Sequence, residues 1–327
     1  IFCKFAHMKK LLFILLCLPM IGFGQLTYVP DDVFENYLED NGMGNGIAND
    51  DYVTTANINT ITTLNVSNGA GSGASIFDLT GIEDFTALGV LFCEDNQLVT
   101  LDVSANSSLT NLYCGSNQLT SLDVSNNTVL TWLDCEYNQL TSLNISTSVR
   151  WLYCSDNKLF TVDLSFNIDL MEVHCFGNHL TALNLSQNIN LEGLWCYDNE
   201  LISLDLSNNP LLNRMFFHYN QLTTLDIRNG NNQNIGNFNV NNNPNLYCID
   251  VDDTTWSNAN WTVTNGSIDS QHYFSNNCSG TSVQEHTTNK ELLKVTDILG
   301  REVDEKRNTP LFYIYEDGTV EKKIIIE

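Results

Sequence analysis

One phrase recurs along the middle of this 327-residue chain at a nearly constant interval. "LYCGSNQLTSLDVSNN" at 112–127 returns as "LDCEYNQLTSLNIS", "LYCSDNKLFTVDLS", "VHCFGNHLTALNLS" and "LWCYDNELISLDLS". Its cysteines, Cys93, Cys114, Cys135, Cys154, Cys175 and Cys196, are 21, 21, 19, 21 and 21 residues apart, and Phe217 holds the same place 21 residues further on. A fixed period of this length means one small unit stacked on copies of itself, each hiding its apolar face against its neighbours. Apolar residues two apart share one face of a short strand. Leu112 and Cys114 therefore point inward, and Tyr113 between them points out.

The unit reads L-x-C-x-x-N-x-L-x-x-L-D-V-S-x-N, and the half-pattern occurs twice per coil, at Leu91 to Asn96 and again at Leu101 to Asn106. This resembles the leucine-rich repeat, with Cys in place of the second Leu, and the 21-residue unit looks like the bacterial class with two nested half-repeats. The resemblance covers about residues 58–247. It implies a repeat solenoid, right-handed, with short parallel strands, in a family devoted mostly to recognition.

Each conserved place in the unit has a physical role to fill. Cysteine is small, apolar in practice and often fully buried. Stacked parallel strands are ~4.8 Å apart, near disulfide range, but the Cβ vectors run parallel and disfavour bridging. Free buried thiols are expected, and no C-x-x-C points to zinc or redox chemistry. The column Asn96, Asn117, Asn138, Asn157, Asn178, Asn199 and Asn220 can satisfy turn backbone of its own coil and the next. The irregular spacings, near "STSVRWL" and "IRNGNNQNIGNFNVNNNP", belong in turns, where length changes cost little.

Both ends of a solenoid need covering. At the front, residues 25–57 form the cap. There "PDDVFENYLEDNG" predicts a short helix capped by Asp31 or Asp32, with Val33, Phe34, Tyr37 and Leu38 on one face and Asn41-Gly42 as its stop. At the back, 248–280 leaves the pattern, and Cys248 and Cys278 are the only cysteines outside both the ladder and the N-terminal leader; in an oxidising compartment they pair. Residues 1–24 read as upstream residues plus an export signal, with a basic start after Met8, an apolar run too short to span a membrane, and small Gly24 before Gln25.

A polar linker at 281–289 leads to a tail, 290–327, whose strands flank an Asp317-Gly318 hairpin signal. Through Asp297, Leu299, Gly300, Arg301 and Glu302, then Tyr313, Gly318 and Lys323 with the three isoleucines after it, this small β domain resembles the sorting domain of type IX secretion. "TPLFY" stands where that family usually has a glycine before the tyrosine strand. The resemblance implies a partner in the secretion machinery, passage across the outer membrane of a gram-negative bacterium, and a protein released or held at the surface.

Charge narrows the partners. Acidic residues number 39 against 14 basic ones. Three basic residues lie in the first ten positions and seven from Lys290 onward, leaving Arg150, Lys158, Arg214 and Arg228 for the body. Such a surface repels phosphate backbones and anionic membranes, so nucleic acid is not expected, nor a membrane span in the mature chain. No nucleophile elbow, zinc-protease motif or phosphate loop occurs. The histidines lack a nucleophile or metal partner at motif spacing, and no acid–base pair stands out. No catalytic residue, cofactor or metal site is expected, and the chain reads as a monomer.

The outward positions of the first strand are more informative. The column between Leu and Cys runs Phe92, Tyr113, Asp134, Tyr153, His174, Trp195, Phe216, and its flanks add Trp132, Trp151, Phe176, Tyr197 and His218, with Asp134, Glu136, Glu172 and Arg214 as polar neighbours. These rings are expected mostly in water, as a binding surface for an extracellular protein or glycan. The competing readings are that stacked rings merely support neighbouring strands of a surface-structural protein without a specific ligand and, less in keeping with the residues, that the chain is a polysaccharide-acting enzyme. The second half-repeat contributes Asp102, Asp123, Asn144, Asp163, Asn184, Asp205 and Asp226, either a solvated polar face or, less in keeping with the spacing, a calcium ladder.

Overall fold

A computed structural model describes residues 24–71, 73–278, 292–296, 301–303, 310–315 and 320–324. Residues 1–23, where the upstream residues and export signal are expected, the expected linker at 281–289, and Asp297, Leu299, Gly300, Asp317 and Gly318 lie outside them. Among the described residues no helix is long and apolar enough to cross a membrane.

The repeats build a parallel sheet of nine three-residue strands stacked in sequence order: Thr63–Asn65, Val90–Phe92, Asn111–Tyr113, Trp132–Asp134, Trp151–Tyr153, Glu172–His174, Gly193–Trp195, Arg214–Phe216 and Asn237–Asn239. Pairing is strictly in register, so Leu91, Leu112, Leu133, Leu152, Val173, Leu194 and Met215 line up, one per coil. All are buried, as are the six ladder cysteines, which are free thiols, and Phe217 and Val240 continue their column. Burial, seconded by neighbouring thiols or carboxylates for most of them, pushes these thiols up and keeps them protonated.

Each strand ends in a turn that the asparagine column holds. The residue two after each ladder cysteine takes a left-handed backbone, as at Asp95, Ser116, Tyr137, Asp156 and Asp198, with Gly177 at the same place. The following asparagine is buried and fully used. Asn138 Nδ2 donates to the carbonyls of Cys114, Cys135 and Glu136 at 3.0–3.2 Å, and its Oδ1 accepts from Leu119 N at 3.0 Å. The partners belong to the asparagine's own coil and the preceding one, not to the following coil as the sequence suggested. Asn243 extends the column. A second buried column, Asn106, Asn127, Asn167, Asn188 and Asn209, donates to preceding carbonyls in the other half-repeat.

That half-repeat forms shorter parallel pairings: Ser121–Asp123 with Ser142–Asn144, and Ser203–Asp205, Thr224–Asp226, Cys248–Asp250 and Tyr273–Ser275 in one sheet. Parallel stacking thus runs past residue 247 into the back cap, where Asp253 caps the helix Thr254–Asn260 and Trp261 is buried against Phe238 and Phe274. Cys248 and Cys278 are disulfide-bonded, as their position predicted. At the front, the helix Asp32–Asp40 starts on Asp31, whose carboxylate accepts from Val33 N and Phe34 N at 3.0 Å, and it buries Phe34 and Leu38 as expected. It also buries Glu35, which accepts from the amides of Asp50 and Asp51.

The tail is a separate unit of three antiparallel strands, Leu292–Thr296, Pro310–Tyr315 and Val320–Ile324. The last two pair antiparallel, as a hairpin requires, while the Asp317-Gly318 turn itself lies outside the described residues. Tyr313 and Leu311 are buried in it, Arg301 is exposed, and Lys323 sits opposite Leu311 in the register.

Candidate functional site

The outward column of the nine-stranded sheet carries the rings, and strand register decides which of them meet. Tyr113 lies beside Asp134, and Asp134 beside Tyr153, so one carboxylate interrupts the column. Trp132, two residues back on the same strand as Asp134, closes the gap: its ring centroid lies 6.1 Å from Tyr113 and 5.0 Å from Tyr153, and 5.7 Å from Trp151. From Tyr153 the stack continues to His174 at 4.4 Å, Trp195 at 4.1 Å and Phe216 at 5.7 Å. A parallel stack joins Phe176, Tyr197 and His218 at 4.4 Å spacings. His174 lies 6.4 Å from Phe176, and Phe216 lies 6.4 Å from His218, so the two stacks form one network. Phe92 extends it beyond Tyr113 at 4.6 Å. Every ring singled out in the sequence belongs to this surface.

The rings are half-buried rather than mostly in water, because each covers part of the next. Glycine at 193 makes one of these placements possible. A Cβ there would sit 2.4 Å from Trp195 Cζ3, so the indole lies flat over a strand that offers no side chain. Arg214 covers the same indole, with its guanidinium carbon 5.2 Å from the ring centroid.

Polar groups are threaded between the rings. Glu172 accepts from Tyr153 Oη at 3.4 Å, meets His174 Nε2 at 2.9 Å and pairs with Arg214 at 3.4 Å. Burial, then the Glu172 charge, pushes the Tyr153 hydroxyl up to about 12. Burial holds His174 and His218 below the ordinary histidine value, so both rings are neutral at physiological pH. Burial raises Asp134 and Glu136.

The acidic column of the other half-repeat has a local role that the sequence reading missed. Asp102, Asp123, Asp163, Asn184, Asp205 and Asp226 each accept from the backbone N–H two residues on, at 2.9–3.1 Å. The D-x-S spacing is the signal for such turns. Hydrogen bonds from the following serine lower Asp102, Asp123 and Asp163 below the usual carboxylate range. Among the described residues, the acidic group whose ligand atoms all lie within 4.8 Å of one another is elsewhere, Asp32, Glu35 and Asp51 of the front cap.

Short parallel strands in register, a buried asparagine per coil and a ring-paved strand face define this molecule as a leucine-rich repeat solenoid. No protein-family model matches the chain and no curated protein does. Among solved structures it is similar to the functional domain of InlJ from Listeria monocytogenes, which includes a cysteine ladder, with 32% identity over 70% of this chain and a TM-score of 0.60. The chain spans about half the length of that relative, 52%. It is also similar in fold to internalin C2 of Listeria monocytogenes, at 20% identity, covering 70% of this chain and 99% of the other, with a TM-score of 0.50.

Proposed function

We propose that this protein is an exported, non-catalytic binding protein that uses the strand face to hold an extracellular protein or glycan in adhesion or surface recognition. The observation that carries the reading is the continuous ring surface from Phe92 to Phe216, doubled by Phe176, Tyr197 and His218. Broad amphipathic rings in a fixed array give contact area at little entropic cost. The internalin-like fold, the cysteine ladder shared with InlJ and the Cys248–Cys278 disulfide support a place outside the cytoplasm. The tail, with Asp297, Leu299, Gly300, Arg301, Tyr313, Gly318 and Lys323, serves as the sorting signal that delivers the protein to the surface of a gram-negative cell.

A second reading draws on the half-burial of the rings: they brace neighbouring strands of a surface-structural protein without a ligand. Replacing Trp151 and Trp195 by alanine separates the two. The binding reading requires the doubly substituted protein to lose attachment to an array of cell-surface proteins and glycans while its circular dichroism is unchanged. Attachment equal to that of the parent protein rejects it.

A further inference from the structure

The strand face is electrically uneven along its length. At Glu172 the charge is neutralised by Arg214 and engaged by His174. Toward the front, Glu94, Asp134 and Glu136 have no basic partner among the described residues. The basic residues of the body are engaged elsewhere: Arg150 with Asp169 at 3.6 Å, Lys158 with Gln139 at 3.2 Å, Arg214 with Glu172, and Arg228 with Asp226 and Asp250. Burial raises Asp134, with Glu94 adding to the effect, and it raises Glu136, with Asp134 and Asp156 adding. Trp132 Nε1 is shielded from solvent and has no hydrogen-bond partner, and the Glu136 carboxylate has only the neutral hydroxyl and amide of Ser155 to hold its value down against burial. Strand register continues past the cysteines, so Glu136 lies between Gly115 and Ser155. No large side chain fills its flanks, and in the neighbouring column Asp134 lies between Tyr113 and Tyr153, which Trp132 bridges.

We infer that this front half of the strand face receives lysine or arginine side chains from a basic segment of a partner protein, with Asp134 and Glu136 as counter-charges and Trp132 and Tyr153 as flanking rings. The inference rests on the strand face being the contact surface, and it names the class of partner. Aromatic faces beside carboxylates suit an ammonium or guanidinium group. A single small cation fits poorly, since among the described residues these carboxylates belong to no group of three or more ligands gathered within 4.8 Å, as Asp32, Glu35 and Asp51 are. A neutral glycan would cover the carboxylates without compensating them, which burial makes costly.

The test uses the full chain and a short labelled peptide of alternating arginine and glycine, titrated by fluorescence anisotropy at physiological ionic strength, where bulk charge effects are damped. The parent protein binds, and Asp134→Asn with Glu136→Gln weakens binding by about tenfold or more. Asp95→Asn with Asp198→Asn removes the same net charge at exposed left-handed positions that asparagine tolerates, and it changes affinity by less than about twofold. Absence of binding to the parent, no effect of the first pair, or equal weakening by both pairs overturns the inference. The array experiment keeps the two readings apart. If the Trp151/Trp195 variant loses attachment and the Asp134/Glu136 variant keeps it, the face binds something other than a basic segment and only this inference fails. If the tryptophan variant keeps attachment, the strand-face reading fails and takes this inference with it.

Discussion

Asn138 sits on no binding surface, yet its side chain closes the backbone of two coils at once. Three carbonyls and one amide depend on it, and all but the bond to the Glu136 carbonyl are fully buried. Asn138→Ala strands those groups without water to replace the lost partner, and the expected cost is about 2–4 kcal/mol, read as a lower urea midpoint with little change in slope. The carboxylates of the strand face act in the opposite sense. Asp134 and Glu136 have folded values above their ordinary 3.8 and 4.5. The folded state therefore favours their acid forms. Stability from that preference is present below the unfolded values and is lost as pH rises through the folded ones. Asp134→Asn and Glu136→Gln should each raise the melting temperature at neutral pH by about 1–3 °C, allowing for the solvent that still screens them. The gain should vanish near pH 3, where the parent carboxyls are already protonated; a gain that persists there would point to packing instead of charge. At this scale the sequence showed the asparagine's chemistry but not the direction of its bonds. An amide repeated every coil reads the same whether it reaches forward or back, and only its bonds to Cys114 and Leu119 show that it reaches back.

Strands of three residues hold the ring surface because each borrows geometry from its neighbour. Period-two alternation in "LYC" and "LWC" was enough to place leucine and cysteine inside and the rings outside, and the thiols free and buried. It was not enough to show that Trp132 would leave its own column to bridge the gap at Asp134, nor that Trp195 would lie across Gly193. Both depend on contacts between strands 21 residues apart, and a one-strand pattern contains no information on the tilt of a ring. The role of Gly193 is open to a direct test. Its backbone is not left-handed, so alanine is tolerated there, and the methyl group collides with the indole edge, not with the main chain. Gly193→Ala should leave the circular dichroism intact and lower stability by less than about 1.5 kcal/mol. It should also change the fluorescence of Trp195, which loses its stacking on His174 and its cover by Arg214. An unchanged emission spectrum would mean that the indole does not rest on Gly193.

A stack of coils transmits stability only between neighbours, so its ends govern how it begins to come apart. The front end is closed by a helix that buries Phe34 and Leu38. The back end is closed by Trp261 against Phe238 and Phe274, and by the cross-link between Cys248 and Cys278. That cross-link ties Cys248, which pairs directly with Tyr273, to a segment 30 positions further on. Opening it should release about 2–4 kcal/mol of constraint, but the loss falls on the back cap before it reaches the middle coils. The six ladder thiols are an internal gauge of this order, because burial leaves them protonated and out of reach. In mild reductant with a thiol-labelling reagent, Cys248 and Cys278 should react first, and amide exchange should rise across Tyr273–Ser275 while Asn111–Tyr113 stays protected. Cys196 should then be labelled at lower denaturant than Cys114, since it lies closer to the loosened end. Simultaneous labelling of all six would show that the solenoid unfolds as one cooperative block and that the cross-link stabilises every coil equally.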